Sequence, residues 1–228
     1  MVSDAGAYTG HVTAGGEPDV RTLGCLSITK VAVDEKMSNN CYLLRCTSTG
    51  EQVLIDAADS APTLLQLIGE AGLTHVVTTH QHWDHHRALA DVVGATGAAT
   101  VAGDPDAEAI AEQTGVMVAV QVSDGDTVPV GDCTLEVIAI AGHTPGSIAL
   151  LYDDPEGHPH LFTGDSLFPG GVGNTFGDAE AFQQLVEEVS TKVFDRLPDD
   201  TWFYPGHGDD STIGAERPHL AEWRERGW

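Results

Sequence analysis

Four of the chain's 11 histidines fall in the segment Thr79-His80-Gln81-His82-Trp83-Asp84-His85-His86. Imidazole nitrogens and carboxylate oxygens are ligands for zinc, iron and manganese, so a cluster of this density reads first as metal chemistry. An extended backbone directs residues two apart to the same side. His80 and His82, at the end of the apolar run THVVTT, can therefore face one metal ion. Asp84 and His85 fall where the chain should turn into a helix starting near His86, and that turn can aim them at a second ion beside the first. His86 itself reads as a helix-start residue rather than a ligand. Three more residues share a placement: His143 follows LEVIAIAG, Asp165 follows HLFTG and His207 follows TWFYPG, each after an apolar run and beside glycine. Ligands carried on successive strand ends converge on one edge of a sheet assembly. The set is then His80, His82, Asp84, His85, His143, Asp165 and His207. It suits two divalent metals with Asp165 bridging and positions left open for water or substrate. His11, His75, His158, His160 and His219 lack such a context and read as surface or packing residues.

The elements that must position these residues alternate between two patterns. After a polar leader, residues 1–21, the stretches LSITKVAV, NCYLLRC and QVLIDAA are separated by turn residues and read as strands. Residues 60–71 carry Leu and Ile at helical spacing, with Ser60 as the expected N-cap and Gly72 as the stop. The short strand THVVTTH follows, then helix HHRALADVVGATG, strand ATVAG, helix DPDAEAIAEQTG and strand VMVAVQV. From Gly125 the chain returns to strands, TLEVIAIAG, SIALLYDD and HLFTGD, before a long helix over 178–197, a last strand TWFYPGHG and a short C-terminal helix within 211–228. The class is α+β, one domain over 1–228, and two packed sheets with helices outside fit the layout. AERPHLAEWRERGW at the C-terminus is expected to pack and close a core through its aromatic side chains.

Composition bounds the partners. The 228 residues are 41% hydrophobic and 20% charged, enough for a sizeable core, and 35 acidic against 10 basic residues give a formal net charge of −25. Such a surface repels phosphate backbones and anionic lipid, so neither nucleic acid nor a membrane is expected as partner. No apolar run is long enough to span a bilayer, and the N-terminus lacks a basic region followed by an apolar stretch, so a cytoplasmic protein is expected. The 4 cysteines, at positions 25, 41, 46 and 133, show no CxxC spacing and read as small, mostly buried thiols.

In order and character, LIDAAD, THQHWDHH, AGHTPGS, FTGDSLF and YPGHG resemble the metallo-β-lactamase superfamily from about residue 25 to 210. AGHTPGS followed by FTGDSLFPGG looks most like its glyoxalase II (hydroxyacylglutathione hydrolase) branch and that branch's single-domain relatives. The resemblance implies an αββα sandwich with a dinuclear site on one edge of the sheets. It assigns His80, His82 and His143 to the first metal, Asp84, His85 and His207 to the second, and Asp165 to both, with Asp84 and Asp165 also catalytic and Asp56 supporting the loops. Two divalent ions, zinc first with iron or manganese as alternatives, would lower the pKa of a shared water for attack on a small-molecule thioester. The chain departs from the glyoxalase II pattern in reading GVGNT over 171–175 where that branch usually reads GCGR. The chain also ends 21 residues after His207, where that branch adds a basic helical domain that binds glutathione. The acyl carrier is therefore left open. A lactone or ester hydrolase and a mononuclear iron persulfide dioxygenase resemble the same pattern, while a bridging aspartate argues against β-lactam hydrolysis and the charge against RNA processing. A metal-binding scaffold without catalysis is the non-enzymatic alternative.

Overall fold

The computed structural model describes residues 8–227. Two sheets stack face to face with helices outside each. The first has seven strands: β1 (Asp19–Thr22), β2 (Leu26–Ala32), β3 (Asn40–Cys46), β4 (Gln52–Ile55), β5 (His75–Thr78), β6 (Ala99–Gly103) and β7 (Val120–Val122), paired in that order. Pairing is antiparallel up to β4 and parallel from β4 to β7. The second contains β8 (Thr127–Val130), β9 (Cys133–Ala139), β10 (Ile148–Tyr152), β11 (His160–Gly164), β14 (Trp202–Pro205) and β15 (Ser211–Thr212). Between β11 and β14 the chain forms a ribbon of β12 (Leu167–Phe168) and β13 (Gly171–Val172). Helices α1 (Ala61–Ile68), α2 (Leu89–Thr96) and α3 (Asp104–Thr114) cover the first sheet; α4 (Ala179–Val189), α5 (Ile213–Glu216) and α6 (Leu220–Arg226) cover the second.

The central strands are apolar on both faces because both faces are covered. Tyr42, Leu44, Val53 and Ile55 turn inward to meet Leu135, Val137, Leu150 and Phe162 of the other sheet. Their neighbours Leu43 and Leu54 point outward, onto Leu64, Ile68, Leu89 and Ile110 of the helices. On the far side Ile138, Leu151 and Phe203 pack on Phe182, Leu185 and Trp223. One period of two thus feeds two core layers from the same strand.

Four expectations need correction. The leader over 1–21 is not all leader, since Asp19–Thr22 pairs with β2 as an edge strand; residues 1–7 lie outside the described residues. Ser60 occupies the first cap position but with φ 48° and without a side-chain cap hydrogen bond, its hydroxyl meeting Thr63 instead. The C-terminal helix over 211–228 is divided into strand, α5, a 3-10 turn at Arg217–His219 and α6, because Pro218 can start a helical turn but cannot donate within one. Trp223 of that segment is buried against Phe194, as expected of a closing helix, and Trp228 lies outside the described residues. Finally, the cysteines are not all thiols: Cys25 and Cys133 form a disulfide across 108 positions of chain, and Cys41 and Cys46 are buried thiols. Spacing along the chain says nothing of a pair that meets only when the sheets pack.

Candidate metal centre

All seven sequence-selected residues gather at one edge, and the strand directions are the reason. β4, β5 and β6 run parallel in the first sheet; β9, β11 and β14 share one direction in the second. Their C-terminal ends deliver Asp56, His80, His143, Asp165 and His207 to the same side. His82 and the 3-10 turn Trp83–His85 follow β5, bringing Asp84 and His85 back over the edge.

Three imidazoles converge. His82 Nδ1 lies 2.9 Å from His143 Nε2 and 3.1 Å from His80 Nε2, and the latter two are 3.3 Å apart. Tautomers follow from the outward contacts. The Thr79 hydroxyl donates to Asp56 and therefore accepts from His80 Nδ1, while His143 Nδ1 donates to the Asn174 carbonyl at 2.8 Å. His80 and His143 then each turn an Nε2 lone pair inward, the arrangement outer partners impose on a metal-ligating histidine, while His82 presents Nδ1 to the same point. Burial holds the pKa of His80 well below the usual histidine value, and burial likewise lowers His82 and His143, so these rings are neutral at neutral pH.

The second group is acidic. His85 Nε2 and His207 Nε2 are 3.2 Å apart, with Asp84 Oδ2 3.6 Å from the first and 3.4 Å from the second. Their outer nitrogens donate to Asp56 and to the Met37 carbonyl, at 2.8 and 2.7 Å. Asp165 lies between the groups: Oδ2 is 3.6 Å from His143 Nε2 and 3.4 Å from His207 Nε2, and Oδ1 is 3.3 Å from His85 Nε2. Burial alone would lower both basic histidines, but the carboxylates outweigh it. Asp165 and Asp56 hold His85 well above its usual value; Asp165 and Asp84 raise His207 to about 9. The same contacts hold Asp84 and Asp165 below the carboxylate range although burial opposes. Asp165 Oδ1 is buried without a hydrogen bond. A buried, unbonded carboxylate oxygen facing imidazole nitrogens is a donor set that fits a cation, and the ligand atoms fall into triads 80/82/143, 80/85/165 and 84/85/207, each within 4.8 Å.

Supporting residues complete the edge. Asp56, at φ 58°, accepts from Thr79 N, the Thr79 hydroxyl and His85 Nδ1, each at 2.8 Å, fixing β5 and His85 together. Gly206 leaves room for the bridge, since a Cβ there would stand 2.3 Å from Asp165 Oδ1. The sequence reading missed two residues. Fully buried Asp106 accepts from Gln81 N, Gly146 N and the Thr144 hydroxyl at 2.9, 2.7 and 2.6 Å, tying the His80–His82 segment to the His143 loop. Asn39 Nδ2 donates to Asp84 Oδ2 at 3.0 Å. Phe176, at φ 56° and 72% exposed, forms the rim with its ring 5.6 Å from that of His82. His86 turns away to the Gln81 carbonyl, and it does not start the helix, which begins at Leu89 after the 3-10 turn. His160 packs internally on Tyr204, and His11 pairs at the surface with Asp209.

The sequence profile of the metallo-beta-lactamase superfamily matches residues 35–207, a span that holds every candidate ligand. The chain belongs to the metallo-beta-lactamase superfamily. Among curated relatives, a hydroxyacylglutathione hydrolase of Polaromonas sp. strain JS666 is 38% identical over 171 residues, covering 73% of this chain and 60% of that protein. The mitochondrial persulfide dioxygenase of Homo sapiens is 34% identical over 183 residues, covering 77% and 68%. Among solved structures, that of ETHE1 from Myxococcus xanthus superposes with a TM-score of 0.73 at 32% identity, covering 87% of this chain and 84% of that one. The chain spans about 60% of the length of the first hydroxyacylglutathione hydrolases it matches.

Proposed function

We propose that the protein is a metal-dependent hydrolase that cleaves a small-molecule thioester at a centre of two divalent ions, zinc first with iron or manganese accepted by the same donors. The observation that carries this reading is the position of Asp165, one carboxylate within 3.6 Å of imidazole nitrogens from both groups. Seven converging donors, five of them imidazoles, exceed what a single zinc, iron or manganese ion takes from protein, and the 38% identity to a hydroxyacylglutathione hydrolase supports the reaction class. His80, His82 and His143 would hold one ion, Asp84, His85 and His207 the other, and Asp165 both.

When bound, such ions supply Lewis acidity, which makes water nucleophilic at neutral pH and polarises an acyl carbonyl. The chain's own residues do the remainder. Asp84 and Asp165, held ionised by the imidazoles, orient the attacking water and can take its proton. Asp56 and Asp106 keep the imidazoles aligned, so no reorganisation is needed during turnover. Phe176 offers an apolar wall at the rim that shields the reacting centre from bulk water.

A second reading, persulfide oxidation at a single iron, has the 34% identical dioxygenase and the 0.73 TM-score in its favour. Metal content by mass spectrometry on protein purified without chelator, paired with assays of thiol release and of persulfide-dependent oxygen uptake, separates the two. Two ions per chain with thiol release support the hydrolase. One iron with oxygen uptake replaces it by the dioxygenase. Asp165→Asn is expected to remain folded and lose about 100-fold in turnover, roughly 2.7 kcal/mol.

A further inference from the structure

At the pole opposite the metal centre, three sulfurs meet. Cys25 precedes β2, Cys46 ends β3 and Cys133 opens β9, and their Sγ atoms all lie within 4.8 Å of one another. Cys25 and Cys133 are disulfide-bonded, which leaves Cys46 as a thiol against an existing disulfide. Cys46 and Cys133 are buried in the same inter-sheet core, at 0% and 4% exposure, whereas Cys25 is half-buried at its margin.

The thiol has an outlet for its proton. Cys46 Sγ lies 3.1 Å from the Ser48 hydroxyl, and Ser48 donates to the exposed carboxylate of Asp132 at 2.6 Å. Ser48 has one proton, given to Asp132, so its oxygen is free to accept from Cys46, and the proton can pass through Ser48 to the carboxylate. Burial pushes the thiol up, yet donors to the thiolate outweigh it and hold Cys46 down at about 6: Ser48, which after the relay holds the proton against the thiolate, together with Thr49 and neighbouring backbone amides.

We propose that Cys25, Cys46 and Cys133 form an internal thiol–disulfide exchange site, in which Cys46 attacks Cys133 and delivers a reactive thiol to the surface at Cys25, open there to soft electrophiles and small disulfides. In the step, Cys46 Sγ loses its proton to Asp132 through Ser48 and bonds to Cys133 Sγ. The Cys25–Cys133 bond breaks with its electron pair on Cys25 Sγ, which takes a proton from solvent. One disulfide is exchanged for another, so no oxidant or reductant is consumed. The leaving sulfur is the most solvated of the three, where a thiolate is best stabilised. Both isomers keep a link between the sheets through Cys133, so the exchange does not need the fold to open.

Irreversible alkylation reads the exchange directly. Native protein is incubated with N-ethylmaleimide without reductant, quenched in acid and digested for peptide mass spectrometry. The expected result is one label on Cys25, accumulating with time, together with a Cys46–Cys133 disulfide peptide. Cys46→Ser is expected to abolish the label, and Ser48→Ala, which removes no sulfur, to slow it about tenfold. A native chain that stays unlabelled, a label on Cys46 with the original pair intact, or a label on Cys133 would each overturn the proposal. So would Ser48→Ala labelling at the native rate.

Discussion

Asp56→Asn tests how the edge is held together. The native carboxylate accepts three hydrogen bonds, from Thr79 N, the Thr79 hydroxyl and His85 Nδ1, and is 2% exposed. The amide keeps the shape but has a single acceptor oxygen, so a donor of the variant must face a donor of its surroundings. One unmet buried hydrogen bond costs about 1–3 kcal/mol. For a chain of this size that lowers the melting temperature by roughly 2–10 °C. The effect on metal should be separable from this. His85 loses the carboxylate that fixes its ring, a loss worth about 10–100-fold in metal affinity where an outer partner of a ligand is removed. Affinity is measured by competition against a chromophoric chelator, with thermal unfolding of metal-free protein as the control. Asp56→Ala should destabilise further, since no acceptor remains and alanine tolerates φ 58° less well than aspartate. Asn binding metal as tightly as the native chain while melting lower would refute the coupling, leaving Asp56 a purely structural residue.

Further outcomes follow from the same geometry. Reducing the Cys25–Cys133 link, which closes a loop of 108 positions, should cost about 2–4 kcal/mol and lower the melting temperature by roughly 5–15 °C, seen by calorimetry with and without phosphine reductant. Gly206→Ala, whose Cβ would press on Asp165 Oδ1, should lose bound metal on purification while retaining the far-ultraviolet circular dichroism of the native chain. In metal-free protein His207 titrates at about 9 against about 6.5 when unfolded. Its folded value is raised, so its stabilising contribution is complete below about 6.5 and disappears as pH rises through about 9. Metal displaces that proton, so metal affinity should climb over the same interval; a flat profile in competition assays from pH 6.5 to 9 would contradict the pairing of His207 with Asp84 and Asp165.

The candidate ligands His80, His143, Asp165 and His207 were legible because each sits where an apolar run stops, and strand ends of one direction share an edge; Asp84 and His85 follow in the turn after β5. His80 and His82 needed only the two-residue spacing. His143, Asp165 and His207 needed the glycine beside them, which at Gly206 is a packing requirement of the bridge itself. Asp106 was hidden by its position: at the start of a helix an acidic residue already has a local electrostatic reason, and its partners lie 25 to 40 positions away. Asn39, in a polar turn before β3, was hidden in the same way. The disulfide left no trace because Cys25, in the turn before β2, and Cys133, at the start of β9, stand 108 positions apart and meet only when the sheets pack. Helix ends went astray locally, as at Ser60, where a left-handed backbone replaced the expected cap.

In the proposed dinuclear state, the division between neutral and acid-backed histidines would set the charge at this edge of a chain of net charge −25. The imidazoles of His80, His82 and His143 add no charge, so in the proposed dinuclear state the local balance is set by two divalent ions against Asp84, Asp165 and, behind the imidazoles, Asp56 and Asp106. Four positive charges against four negative ones would leave this edge near neutral within an otherwise acidic surface. Had the first triad been carboxylates, the edge would be strongly negative and the ions' power to polarise a carbonyl largely spent on the protein. Asp84, Asp56 and the shared Asp165 keep His85 and His207 basic in the metal-free chain, so metal loading is expected to be proton-coupled.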